Sequence, residues 1–151
     1  MNWKKLFVSI LIPVGLGALV GFLTSGSTNY ANFNQPSFAP PAILFPIVWT
    51  ILYTLMGISS YIISESDSPH KEKALSTYWT QLIINLLWSI IFFTFDLKVL
   101  AFIWILLLIV FVFKMIREFL SINKTAGYLQ IPYLLWLIFA AILNLSIIFL
   151  N

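Results

Sequence analysis

From Leu6 to Ser64 the chain runs for 59 residues without a single charged side chain. A water-facing domain carries roughly a quarter of its residues as charges. This chain of 151 residues has 9% in total, with 61% hydrophobic residues and a mean hydropathy of +1.00. Too few charges exist to cover a surface in water, so the solvent of this chain is lipid.

In hydrocarbon every backbone N–H and C=O must be satisfied internally, which leaves helices and closed barrels. The apolar segments are continuous and lack the alternation a barrel strand requires. They fall at about 6–24, 42–64, 75–95, 99–116 and 126–150. Each is close to the roughly 20 residues that cross ~30 Å of hydrocarbon. The expected fold is all-α, a single integral membrane domain of five transmembrane helices over residues 1–151. Lys4 and Lys5 before an apolar run resemble the start of a signal peptide, and the small residues from Thr24 to Thr28 resemble a cleavage region. The run is long for a cleaved segment, so the first span is expected to be retained. Pro13 is expected to kink it, and Pro132 to bend or restart the fifth span. Pro46 falls in the first turn of the second helix, where proline is tolerated.

The connections set the orientation. Lys4, Lys5, Lys71, Lys73, Lys114, Arg117 and Lys124 fall on one side, and Lys98 alone on the other. That bias predicts a cytoplasmic N-terminus, with the first loop and the C-terminus outside a bacterial plasma membrane. The net charge of +3 belongs to these short loops and marks orientation. No nucleic-acid partner is expected. The absence of cysteine excludes thiol catalysis, thiolate metal sites and disulfides.

At 100° per residue, three helices gather polar and aromatic groups on one face. On the second these are Phe45, Trp49, Tyr53, Met56 and Ser60. On the third they are Tyr78, Gln81, Asn85, Trp88, Ser89 and Phe92, and on the fifth Tyr133, Trp136, Ala140 and Asn144. The fourth is aliphatic and aromatic apart from Trp104 and reads as scaffold. Asn85 and Asn144 at mid-membrane depth must face the interior. There they either bond neighbouring helices or line an apolar pocket and orient a ligand. Trp49, Trp88 and Trp136 on converging faces favour the pocket. Trp3 and Trp79 suit the interfacial belt. Gly17-xxx-Gly21 permits close helix approach, as a dimer face or as the wall of the pocket.

The segment from Pro40-Pro41 through Trp49-Thr-Ile-Leu-Tyr53-Thr-Leu-Met-Gly57 resembles the signature of the translocator protein family (TspO/MBR), also called tryptophan-rich sensory proteins or peripheral benzodiazepine receptors. Tyr78-Trp-Thr-Gln81 through Asn85, Trp88-Ser89 and Phe92-Phe93 resembles the family's third helix. Pro132-Tyr133 through Trp136, Phe139-Ala140 and Leu143-Asn144 resembles its fifth. The three motifs keep their order and span the chain, as in a bacterial member. The resemblance implies a five-helix membrane protein, usually a homodimer. It implies binding of porphyrins such as protoporphyrin IX, of isoquinoline carboxamide and benzodiazepine-type ligands, and for some members of sterols. The family's pocket lies under the first loop, between the first, second, third and fifth helices. Trp49, Asn85, Trp136 and Ala140 match its ligand-contacting positions. Tyr53, Trp88, Ser89, Asn144, Pro40 and Pro41 are the further candidates around them. Some bacterial members speed light-dependent porphyrin breakdown using two pocket tryptophans, matched by Trp49 and Trp136. The sterol motif of mammalian members requires a basic residue that this sequence lacks after Lys124.

The residues themselves offer no hydrolytic chemistry, because the apolar faces carry no carboxylate pair, base or metal triad. His70, the one histidine, sits in a charged loop, away from any haem-ligating position. No metal and no cofactor is expected. The leading reading is a receptor or sensor for tetrapyrroles and similar flat lipophilic molecules. Light-dependent porphyrin degradation, transport of such molecules, and a ligand-free scaffold are the alternatives. The lack of intramembrane charge and of an inverted repeat speaks against a coupled transporter.

Overall fold

The computed structural model describes residues 1–25 and 33–151. The front of the first loop, including most of the small-residue stretch after Thr24, lies outside the described residues. The described residues are helical, with five helices long and apolar enough to cross a membrane. Helix α1 spans Trp3–Ser25 and α2 spans Leu44–Ser64. Helix α3, Lys71–Ser89, continues into one π-helical turn, Ile90–Thr94. Helix α4 spans Lys98–Ile122. The fifth span is divided into α5, Lys124–Tyr128, and α6, Ile131–Leu150. The division falls where Pro132 enters at the start of α6, because its ring and missing N–H cannot continue the preceding turn. Pro13 lies inside α1, which stays helical throughout.

The helices form a ring in which α1 packs on α2 and α3, α3 on α4, α4 on α6, and α2 on α5. Helix α4 buries Ala101, Ile105, Leu108, Val112, Met115 and Phe119. That spacing of alternating fours and threes is a seam for neighbours on both sides. Trp104 donates its indole N–H to the Ile84 carbonyl at 2.8 Å, tying α4 to α3. Gly57 admits α1: a Cβ there would strike the Ile10 backbone.

Helix α1 is the outlier. Only 6% of its most apolar window is buried, against 33–44% for the other four. It is apolar on all sides and lies against α2 like a stave, leaving most of its surface to lipid.

The described part of the first loop crosses the end of the bundle and is pinned at three points. Phe33 packs edge-on to Phe92 at 5.9 Å, with the Lys98 ammonium 4.4 Å from its ring centre. Asn34 exchanges hydrogen bonds with Asn151, which donates to the Asn34 carbonyl at 2.9 Å and accepts from its N–H at 3.1 Å. Phe38 meets Phe139 of α6 at 6.2 Å. The sharp turn from α3 into α4 places Asp96 at φ 54°, a left-handed conformation that Asp tolerates better than most residues.

Candidate functional site

A cavity of about 540 Å³ lies between the C-terminal half of α1, the N-terminal half of α2 and the end of α3. That volume is within the range of small-molecule sites, roughly 300–1,000 Å³. Helix α1 supplies Val14, Gly17, Ala18, Gly21 and Phe22, and α2 supplies Phe45, Pro46, Trp49, Thr50 and Tyr53. Ser89 and Phe93 close the α3 side. Ala18 and Phe22 on one side and Pro46 and Thr50 on the other are exposed. The cavity is therefore open between α1 and α2, at a depth where the surroundings are lipid.

The two glycines of the first helix belong to this wall. A Cβ on Gly17 would collide with the Tyr53 ring, whereas one on Gly21 would meet nothing within 4 Å. Gly17 thus lets α1 approach the aromatic floor, and Gly21 leaves room above it.

That floor is built from rings held by a buried polar chain. Trp49 stacks on Tyr53, with centroids 5.5 Å apart, and meets Tyr133 edge-on at 6.2 Å. The Tyr53 hydroxyl donates to Asn85 Oδ1 at 2.6 Å. Asn85 Nδ2 donates to the Tyr133 hydroxyl at 2.8 Å, which donates to Gln81 Oε1 at 2.7 Å. Three spans are joined by groups that lipid could not satisfy. The chain also fixes the Tyr53 ring on which Trp49 rests.

The candidates from the sequence divide into groups. Trp49, Tyr53 and Ser89 line the large cavity. Asn85 is buried behind Tyr53, its amide engaged on both sides by tyrosines. Trp88, Ala140 and Asn144 line a second, small space of about 20 Å³, together with Phe45, Phe92, Phe93 and Leu143. Trp136 borders neither space; Phe45 stands edge-on to it at 5.9 Å. Pro40 and Pro41 precede α2, where the Pro41 carbonyl accepts from the Leu44 N–H at 3.0 Å.

Sequence reasoning passed over the α1 residues Val14, Ala18 and Phe22, because a helix apolar on every face has no preferred side. It also passed over Phe93 as a wall residue. The π-helical turn brings Phe92 and Phe93 around Trp88, at 5.3 and 6.0 Å. Such a turn inserts one extra residue and re-aims the side chains after it, and no local motif announces it.

The comparisons with known proteins agree with this architecture. The TspO/MBR family model matches residues 9–150. The tryptophan-rich protein TspO of Archaeoglobus fulgidus is 38% identical over 100% of this chain and 99% of its own length. The tryptophan-rich sensory protein of Cereibacter sphaeroides is 32% identical over 100% of this chain and 94% of its own. The human translocator protein is 33% identical over 76% of this chain and 70% of its own. With five membrane-spanning helices and a family match over nearly its whole length, the chain belongs to the TspO/MBR family of integral membrane proteins.

Proposed function

We propose that the protein is a membrane receptor or sensor that binds porphyrins, such as protoporphyrin IX, and similar flat lipophilic molecules in the cavity between α1 and α2. The observation that carries this reading is the cavity itself: about 540 Å³, open to lipid, with the Trp49–Tyr53 stack as one wall. A flat apolar ligand gains from burial against such rings and from stacking on them. The names of the relatives, sensory protein and translocator, fit a ligand-responsive role. The orientation follows the lysine and arginine bias, with the N-terminus cytoplasmic and the first loop outside a bacterial plasma membrane. A homodimer is the proposed assembly.

The test is a titration of protoporphyrin IX into the purified protein in the dark, followed at the Soret band and by tryptophan quenching. A Cβ on Gly21, on the cavity wall, meets open space, so Gly21→Leu should weaken binding at least tenfold, with a melting temperature near wild type as the check that the fold is kept. A Soret titration with no saturable shift in the wild type would remove the reading.

Light-dependent porphyrin breakdown is the second reading, favoured by Trp49 on the cavity wall. Excited porphyrin takes an electron from an indole beside it, and dissolved oxygen, the oxidant consumed, adds to the porphyrin radical and opens the macrocycle. Trp49→Phe should slow the loss of Soret absorbance under light. Trp136→Phe separates the two tryptophans, and decay unchanged in both variants would exclude a role for either.

A further inference from the structure

Six of the eight lysines and arginines stand in the first turn of a helix: Lys4 and Lys5 on α1, Lys71 and Lys73 on α3, Lys98 on α4 and Lys124 on α5. Lys114 and Arg117 do not. At a rise of about 1.5 Å per residue they lie about 24 and 28 Å beyond Lys98, where α4 begins. The hydrocarbon layer is about 30 Å thick. With Lys98 at one face of the bilayer, the backbone of both residues is still inside the other face, and their side chains end near its headgroups.

They also point away from the bundle. Helix α4 turns Leu108, Val112, Met115 and Phe119 to its neighbours, whereas Lys114 and Arg117 are exposed, in line with exposed Ile103, Val110 and Phe113. Three residues apart, the two cations are neighbours on the helix surface. The acid that helical spacing offers Lys114 is Glu118, four residues on. Its Oε1 is instead buried and without a hydrogen-bond partner. The ion pairs among the described residues are Lys5 with Glu65 and Lys98 with Asp96, so neither Lys114 nor Arg117 has a counter-charge there. Charges at this depth are costly unless something pairs with them.

We infer that the outer face of α4 is a binding site for one anionic phospholipid. Lys114 and Arg117 clasp its phosphate, and one acyl chain lies along Phe113, Val110 and Ile103. Arg117 supplies a planar fork of donors that matches phosphate oxygens, and Lys114 adds a second charge. Charge decides which lipid fits. A phosphodiester with an uncharged headgroup offsets one of the two cations, whereas a choline headgroup adds a third cation beside them. The site lies outside the cavity that α1, α2 and α3 line and does not depend on what that cavity binds.

The experiment measures the first lipid bound to the full chain by native mass spectrometry, with phosphatidylglycerol and phosphatidylcholine of identical acyl chains. Two cations near the headgroups should make wild type bind phosphatidylglycerol at least about tenfold more tightly. In Lys114→Gln/Arg117→Gln the two lipids should bind within about twofold of each other. Lys73→Gln/Lys124→Gln removes the same charge from first-turn positions at the same end of the bundle and should keep the wild-type preference within about twofold. Equal binding of the two lipids to wild type overturns the inference, and so does a preference that survives in Lys114→Gln/Arg117→Gln. A preference lost equally in both double variants overturns it too, since overall charge would then be what the lipid reads. Circular dichroism melting in zwitterionic detergent checks that each variant is folded. Should Lys114→Gln/Arg117→Gln fail that check, the single change Arg117→Gln decides, with the preference expected to fall about threefold or more and an unchanged preference overturning the site.

Discussion

Gly17, Gly21 and Gly57 are the same residue in three different situations, and alanine at each separates them. At Gly57 the added Cβ meets the Ile10 backbone, which cannot step aside without moving α1. At Gly17 it meets the Tyr53 ring, whose hydroxyl is held by Asn85 at 2.6 Å. At Gly21 it meets open space. Overpacking a close contact costs roughly 1–3 kcal/mol, while alanine gains up to about 1 kcal/mol over glycine in a helix. Thermal melting in detergent should therefore rank Gly57→Ala as the least stable, Gly17→Ala as intermediate and Gly21→Ala as equal to wild type or better. A Gly57→Ala protein as stable as Gly21→Ala would mean that α1 does not sit on α2 as described. The polar chain makes a second prediction at this scale. Tyr133→Phe removes the hydroxyl between Asn85 Nδ2 and Gln81 Oε1 and leaves both without that partner. Interhelical hydrogen bonds in membranes average about 0.6 kcal/mol and reach about 1.7. Two lost together place the expected cost near 1–2 kcal/mol in a reversible unfolding titration. Because Tyr133 also braces Trp49 edge-on, porphyrin binding should weaken along with stability.

At the scale of the element, the described part of the first loop is tied to the bundle's end by a few side chains, chiefly the Asn34–Asn151 exchange and the Lys98 ammonium over Phe33. These contacts are exposed or half-exposed, and each is worth well under about 1 kcal/mol in water. Asn151→Ala should leave the melting temperature within error and raise hydrogen exchange at the Asn34 amide, which loses its acceptor. Unchanged exchange there would show that the clasp does not hold the loop. Which elements exist was legible in the sequence, because each span is an apolar run near bilayer length bounded by charge or proline. The restart at Pro132 was legible for the same reason. The facing of α2, α3 and the fifth span was legible too: Tyr53, Met56, Gln81, Asn85, Tyr133 and Asn144 are buried, as a 100° rotation per residue places them. The pairings among those faces were not. Asn85 reads from sequence as a polar group facing inward, yet its amide is spent on Tyr53 and Tyr133. Partner choice depends on the azimuth of one helix against another, which periodicity does not contain. The π-helical turn after Ser89 was hidden for a related reason: it follows the packing of Phe92 and Phe93 around Trp88, not the local propensity of Ile90–Thr94.

For the whole molecule, the position of the opening decides where ligand comes from. The cavity faces lipid between α1 and α2, with Ala18 and Phe22 on one lip and Pro46 and Thr50 on the other. A lipophilic ligand is concentrated in the bilayer by its own hydrophobicity, so it reaches the site without crossing water. Helix α1 is the more lipid-exposed side of that opening, since so little of it is buried. Obstructing the mouth then differs from obstructing the floor. A bulky residue at the lip raises the barrier for arrival and departure alike and leaves the equilibrium nearly unchanged. A bulky residue on the floor removes bound-state contacts and acts on the dissociation rate. Thr50→Trp should therefore slow both association and dissociation of protoporphyrin in nanodiscs by a similar factor, with Kd within about threefold of wild type. Gly21→Leu, reaching into the interior, should raise Kd mainly through faster release. Stopped-flow measurement of both rates distinguishes the cases. If Thr50→Trp left both rates at their wild-type values while a bulky residue in the first loop, such as Ala39→Trp, slowed them together, ligand would be passing beneath the loop, and α1 would be a fixed wall.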